Sequence, residues 1–107
     1  MIIATTETIA GYVVKETIGI VYGNTVRARD ICSDITARFK DAVGGEIEEY
    51  TKLLSECREQ ALDRMITRAN ELGADAVLGI DFMLSSLIDD AIELLVYGTA
   101  VKLCREP

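Results

Sequence analysis

Residues 46–73 read EIEEYTKLLSECREQALDRMITRANELG, and their pattern predicts one long amphipathic helix over about residues 46–72. Apolar side chains recur at steps of three or four positions, which places them on one stripe of a helix. Acidic residues at the start suit the positive end of the helix dipole, and Gly73 stands where glycine most easily ends a helix. The stripe consists of Ile47, Tyr50, Leu54, Cys57, Ala61, Met65, Ala69 and Leu72.

The sequence before this helix predicts two strands. Residues 1–5 suit a short strand, and Tyr12–Tyr22 alternate as a half-buried strand rich in β-branched and aromatic side chains. Gly19 inside the longer strand indicates a bulge or the close approach of another backbone. Gly23-Asn24 predicts a turn, because both residue types tolerate a positive φ.

The sequence after the helix predicts two more strands. Alternation over residues 76–84 gives the first of them one apolar face, and Ser85–Asp90 follows as a turn. The last strand, Ala91–Cys104, is apolar on both faces, so it requires a covering layer on each side. The apolar face of the first of these strands comprises Ala76, Leu78, Ile80, Phe82 and Leu84.

A shorter helix is predicted between the first pair of strands and the long helix. Asp30 suits its N-cap, and Ile31, Ile35 and Phe39 recur at helical spacing. Gly44-Gly45 ends it. The predicted order is β-β-α-α-β-β in a single domain over residues 1–107. The fold class is therefore α+β, with an antiparallel sheet packed on one long helix.

The composition predicts self-association. The chain has 107 residues, of which 50% are hydrophobic and 27% charged, and its mean hydropathy is +0.23. A domain of this size buries only about two-thirds of the surface that its unfolded chain exposes. Because one protomer cannot hide so much apolar surface, we expect a homo-oligomer.

Composition also disfavours several partners. No apolar run approaches the roughly 18–20 residues of a membrane helix, and Met1–Ala4 lacks the basic start of a signal peptide. A net charge of −7, from 11 basic and 18 acidic residues, disfavours nucleic acid. The three cysteines lack a paired spacing, as is typical of a reducing compartment. We therefore expect a cytoplasmic protein with neither membrane nor nucleic-acid partners.

Recognisable catalytic motifs are absent from the sequence. It contains no histidine, the commonest general base and metal ligand. It has no nucleophile elbow, no P-loop and no dinucleotide fingerprint after a strand. We therefore expect a non-enzymatic protein, with carboxylate-only chemistry as the alternative that the sequence leaves open.

Cys32 and Cys57 are the candidate metal ligands. Structural zinc sites use cysteine pairs two to four residues apart, and this chain has none. Cys57 on the apolar stripe suits packing as a small hydrophobe, while Cys32 lies near a helix start, where the dipole favours a thiolate. A metal site would therefore need identical cysteines from neighbouring copies around an axis.

Three further features have both a structural and a functional interpretation. Gly44-Gly45-Glu46 suits an anion cradle at a helix start, but the acidic residues there repel anions and favour a simple helix break. Asp89-Asp90 with Glu93 suits either a hard cation or a solvated loop. Tyr50 and Arg58 suit either a cleft between copies or ordinary packing and a surface ion pair.

A set of short segments together resembles a known family. The segments are Gly44–Ile47, Tyr50-Thr51, Leu53-Leu54, Arg58, Ala61, Arg64-Met65, Leu72–Val77 and Tyr97–Val101. On them the chain, from Ile2 to Leu103, resembles the small bacterial and archaeal YbjQ-like proteins, the UPF0145 or DUF74 family, which are labelled as heavy-metal-binding domains. The residues expected to shape the subunit and its interfaces are Gly44, Gly45, Glu46, Tyr50, Gly73, Tyr97 and Gly98.

The resemblance implies a dodecin-like α+β subunit and a ring of copies, a pentamer that can stack further. The expected function is that of a non-enzymatic homo-oligomer that binds a heavy metal or a thiol-reactive species where subunits meet, and no other cofactor is identified. The alternative is a carrier ring for an aromatic or apolar small molecule. The aromatic side chains available to line it are Tyr12, Tyr22, Tyr50 and Tyr97.

Overall fold

A computed structural model describes residues 1–28, 48–88 and 91–107. Over these residues the chain forms a mixed sheet of four strands with a long helix packed on it, which confirms the α+β class. The elements are β1 (Ile2–Ile3), β2 (Tyr12–Ala28), α1 (Glu48–Glu71), β3 (Ala76–Ile88) and β4 (Ala91–Arg105). The shorter helix predicted between Asp30 and Gly44-Gly45 lies outside the described residues.

The strand order across the sheet is β1-β3-β4-β2. β4 is antiparallel to both of its neighbours, as predicted, but β1 runs parallel to β3 through the pair Ile2↔Ala76. The expectation of an antiparallel sheet is therefore wrong at this strand. β1 is also shorter than predicted, since regular pairing ends at Ile3. Beyond it the backbone keeps single bonds to β3, including Ala4 N–H···O=C Val77 (3.0 Å).

β2 runs without interruption through Gly23, so the predicted turn at Gly23-Asn24 is wrong. The physical reason is contact with α1. A Cβ at Gly23 would lie 2.5 Å from the backbone nitrogen of Met65 and would also collide with the carbonyl oxygen of Ala61. This glycine is therefore needed for the close approach of the helix. Of the two alternatives predicted at Gly19, the bulge is confirmed by a register shift between Thr17 and Gly19.

β3 extends to Ile88, well into the stretch predicted as a turn. A bulge at Gly79, whose φ is +62°, shifts its register with β4 between Leu78 and Asp81. An extra residue in one strand reverses which face the following side chains occupy. Ile80 consequently packs against α1 with Val77, whereas Leu78 packs on the opposite face. The prediction of one continuous apolar face is wrong for this reason.

α1 ends close to where the sequence predicts. Gly73 has a φ of +74°, its N–H donates to the carbonyl of Asn70 (3.0 Å), and Ala74 N–H donates to the carbonyl of Ala69 (3.0 Å). These two bonds form a Schellman motif, which satisfies the last carbonyls of the helix. Among the described residues, no helix combines the length and apolarity that crossing a membrane requires.

The core lies between α1 and the sheet, mainly over β2 and β4. Its buried helix residues, Ala61, Met65 and Ala69, belong to the predicted stripe. A smaller cluster of Ala76, Leu78 and Val101 lies on the opposite face, beneath Ala4 and Ile9 of the N-terminal segment. The helix-side core also contains Val21, Val77, Ile80, Val96 and Ala100.

Candidate functional site

One face of the sheet carries a patch of apolar side chains that the described residues cover only in part. On β2 the residues alternating with buried Val21 point away from α1, and Ile20 is 78% exposed. Tyr22 pairs directly with Tyr97 of β4 across this face, and the next register row brings Met83 beside Leu95. We call this surface the open face; it consists of Ile20, Tyr22, Val26, Met83, Leu95 and Tyr97.

A second uncovered area lies on the helix side of β3. Phe82 and Leu84 pair with Val96 and Leu94, so they share the face that α1 packs against. They nevertheless remain 40% and 57% exposed, because α1 lies over β2 and β4 and barely reaches β3. In the sequence, the unbroken apolar run Phe82-Met83-Leu84 is the signal that both faces of this strand are apolar.

Both long edges of the sheet lack a neighbouring strand within the part of the chain that the structure describes. β2 is the outermost strand on one side. On the other side β1 pairs only with Ala76 and Val77, which leaves the edge of β3 from Asp81 onwards without a strand partner. Open edges of this length are templates for pairing with another chain.

Two arginines of α1 close the middle of the β2 edge. Arg64 donates from Nη1 to the carbonyl oxygen of Asn24 at 2.5 Å. The guanidinium of Arg68 lies 4.5 Å from the centroid of the Tyr22 ring, within the range of a cation–π contact. Asn24 in turn donates from its amide to Glu93 on β4 (3.0 Å). The edge over Tyr12–Ile20 carries no cap of this kind among the described contacts.

The structure places some of the predicted interface residues and not others. Tyr97 lies on the open face, where its hydroxyl hydrogen-bonds Asp81 (3.3 Å). Gly98 is a buried residue of β4, and a Cβ there would lie 2.6 Å from Val77 Cγ1 of the neighbouring β3. Gly73 shapes the helix end, and Tyr50 lies in the first turn of α1. The remaining three, Gly44, Gly45 and Glu46, lie outside the described residues.

The two cysteines of the described ranges, Cys57 and Cys104, do not come together as metal ligands within one protomer. Cys57 is 2% exposed, and its carbonyl accepts a hydrogen bond from Thr25 (3.1 Å). Thr25 pairs with Leu94, and the exposed Cys104 lies ten positions further along β4, roughly 30 Å away. Over the described ranges no group of three or more Cys, Asp or Glu side chains is placed to hold a metal ion. Cys32 lies outside those ranges.

Two adjoining cavities lie on the face away from α1, at the end of the sheet where β2 begins. The larger, about 600 Å³, is bounded by the N-terminal segment, the start of β2 and Leu103. The smaller, about 380 Å³, lies over Leu78 and Val101. Val14 lines both, so they form one surface that we call the outer groove. Sequence reasoning missed it, because its walls come from three separate parts of the chain.

Comparison with known proteins agrees with this architecture. Residues 1–104 match the model of the YbjQ family, whose description reads "Putative heavy-metal-binding". A UPF0145 protein of Pseudothermotoga lettingae is 55% identical over 103 residues, covering 96% of this chain and 97% of that one. A UPF0145 protein of Methanoculleus marisnigri is 53% identical over 103 residues, with 96% of each covered.

A solved structure shares the fold. It is a protein of unknown function of the DUF74 family from Pediococcus pentosaceus, with a TM-score of 0.67. At 17% identity, over 97% of this chain and 98% of that one, the likeness concerns the fold alone. With the family model matched over nearly the whole sequence and relatives above 50% identity, the chain belongs to the YbjQ family.

Proposed function

We propose that this protein is a non-enzymatic cytoplasmic homo-oligomer whose ligand space lies where its copies meet. The observation that carries the proposal is the open face, on which the side chain of Ile20 is 78% exposed in the interior of a long strand. A large β-branched side chain left in water forfeits about 1.5–3 kcal/mol of burial free energy. Several such residues in one patch mark a contact surface.

The size of the protomer supports the same proposal. Its accessible surface is 7090 Å², against about 5,900 Å² for a compact monomer of 11.7 kDa. Its radius of gyration is 17.5 Å, against about 13 Å for a compact chain of this length. The additional surface is available for contacts between copies.

The edge of β3 and the uncapped part of the β2 edge, over Tyr12–Ile20, favour a ring. The edge of β2 and the edge of β3 are different surfaces, so a contact between them is heterologous and repeats from copy to copy. Such a contact closes into a ring when a whole number of equal rotations from copy to copy makes one full turn. The number five comes from the family resemblance alone.

The residues described here do not fit a heavy-metal site inside one protomer. A metal shared by copies would need ligands at the surface, and Cys104 is exposed whereas Cys57 is not. We therefore place any metal or thiol-reactive ligand at a contact between copies. The buried thiol of Cys57 takes no part in this binding.

The test is the mass of the intact assembly, measured by native mass spectrometry and sedimentation. We expect a multiple of 11.7 kDa for the natural chain at micromolar concentration. Ile20→Lys and Leu84→Lys, on opposite faces of the sheet, should each shift the mass toward the protomer. Thr51→Lys, an equal change of charge at an exposed helix position, should not. A folded natural chain of 11.7 kDa would overturn the proposal.

The outer groove favours a second candidate, a carrier of a small apolar molecule. Its two cavities, about 600 and 380 Å³, are in the range of small-molecule sites. Tyr12 lines the larger one, while Tyr22 and Tyr97 meet on the open face. A small molecule retained by the purified protein in native mass spectra would support this candidate. Spectra that show protein mass alone, after incubation with cell extract, would contradict it.

A further inference from the structure

The outer groove combines an apolar floor with acidic rims. The apolar floor belongs mainly to the larger cavity, where Ile9, Val14 and Leu103 line it. The smaller cavity is lined by Thr17 and Thr99 as well as Val14, over the buried Leu78 and Val101. Glu106 lines the larger cavity, and Glu7 lines the smaller. Both residues are exposed. No lysine or arginine is among the described residues that line either cavity. The charged side chains that line the groove are therefore both acidic.

Backbone hydrogen bonds fix the segments that carry these two acids. Glu106 N–H donates to the carbonyl of Gly11 (3.0 Å), which ties the chain end to the start of β2. Gly79 N–H donates to the carbonyl of Thr6 (2.9 Å), which ties the N-terminal segment to β3 beside Glu7. These bonds hold the backbone that carries the two acids beside the groove.

We infer that the outer groove binds a small amphipathic cation, an alkyl or aryl amine whose apolar body covers the floor and whose ammonium group lies beside Glu7 or Glu106. The inference deepens the carrier candidate and rests on it. Burial of the apolar body supplies most of the affinity, since apolar area removed from water is the dominant favourable contribution. The carboxylates supply charge selectivity, because exposed ion pairs add little affinity but like charges repel.

Charge decides between the possible ligand classes. A fatty-acid anion would bring a second carboxylate beside Glu7 or Glu106, on a chain whose net charge is already −7. A neutral alcohol would gain only the apolar contact. A bare metal ion would gain nothing from the floor, and Glu7 and Glu106 line different cavities. An amine with an apolar body uses both features of the groove.

The test compares three probes of equal chain length, n-octylammonium, octanoate and octanol, each below its aggregation limit. Binding is measured by calorimetry, and the methyl signals of Val14 and Leu103 report its location by NMR. We expect octylammonium to shift both signals and to bind about tenfold more tightly than octanoate. Glu106→Gln and Glu7→Gln should each weaken octylammonium about two- to fivefold. Glu16→Gln, at an exposed acid of β2 outside the groove, should leave it unchanged.

The possible failures separate the two ideas. If octanoate and octanol bind in the groove as tightly as octylammonium, the cation inference is wrong and the carrier candidate stands. If none of the probes shifts Val14 and Leu103, both the inference and the groove as a carrier site fail. If Glu16→Gln weakens octylammonium as much as Glu106→Gln, the selectivity belongs to the net charge of the chain and the inference fails.

Discussion

At the residue scale, Gly23 shows how a glycine sets the distance between α1 and the sheet. The backbone of α1 at Ala61 and Met65 occupies the space that a Cβ would fill. A glycine at this position in a strand therefore marks contact with a helix, although glycine followed by asparagine is also a common turn sequence.

We expect Gly23→Ala to destabilise the protein by roughly 3 kcal/mol, because the helix must move away from the sheet. Gly79→Ala is the matched comparison. A Cβ at Gly79 meets nothing within 4 Å, so only the left-handed backbone, at φ +62°, disfavours alanine, by about 1–2 kcal/mol. Urea denaturation at one fixed protein concentration measures both. Equal effects of the two substitutions would contradict the packing explanation.

Cys57 is the second residue whose role is inferred from its position in the structure. Its side chain lies in the layer between α1 and the sheet, at 2% exposure. We expect Cys57→Ser to lower the free energy of unfolding by about 1–3 kcal/mol, because it buries a hydroxyl group in place of a thiol. Zinc content after loading, measured by elemental analysis, should not change.

Cys104→Ser is the control for this prediction. Its thiol is exposed, so its stability effect should stay within about 0.5 kcal/mol. Loss of bound metal in the Cys57→Ser protein, at unchanged stability, would show that the buried thiol is a ligand after all.

At the scale of elements, the sequence predicts the regular periodic patterns of helices and strands. It does not predict the bulges that interrupt those patterns or the long-range pairing of strands. The period of α1 and its terminal Gly73 are local signals, and both are confirmed. The bulge at Gly79 reverses the faces of β3, and no alternation pattern can show where an extra residue will be accommodated. The partner of β1 is likewise set by contacts far along the chain, since Ile2 pairs with Ala76.

The candidate sites were less predictable than the fold. Composition indicates surplus apolar surface, but only the register places Ile20, Met83 and Leu84 in the areas that stay uncovered. The outer groove joins residues from both ends of the chain, so no spacing rule finds it. Cys57 illustrates the opposite case, because its position on a helical stripe predicts burial directly.

The contact between α1 and the β2 edge leads to a prediction at this scale. We expect Arg64→Ala to reduce stability by about 1 kcal/mol, because the carbonyl of Asn24 loses a charged donor. Arg58→Ala on the same helix should change it by less than about 0.5 kcal/mol. The Arg58–Glu59 pair is 3.7 Å long between side chains that are 52% and 63% exposed, and such pairs contribute little. Thermal unfolding followed by circular dichroism measures both, and an equal loss from the two variants would contradict an edge-specific role.

At the scale of the whole molecule, apolar contact and charge oppose each other. The open face and the uncovered part of β3 favour association, while every copy carries a net charge of −7. Repulsion between like-charged copies is screened by salt, whereas burial of apolar side chains is not. The strength of association can therefore be changed by salt alone, without altering any contact between the copies.

We expect the assembly to strengthen as sodium chloride rises from 10 mM to 0.5 M, because the screening length falls from about 30 Å to about 4 Å. Sedimentation across a dilution series at each salt concentration measures the shift. An assembly held mainly by ion pairs between copies would weaken instead, which would contradict an apolar interface. Ile20→Lys and Thr51→Lys both reduce the net charge from −7 to −6, so both reduce overall repulsion. If only Ile20→Lys dissociates the copies, the lost apolar contact at that position outweighs the gain from lower charge.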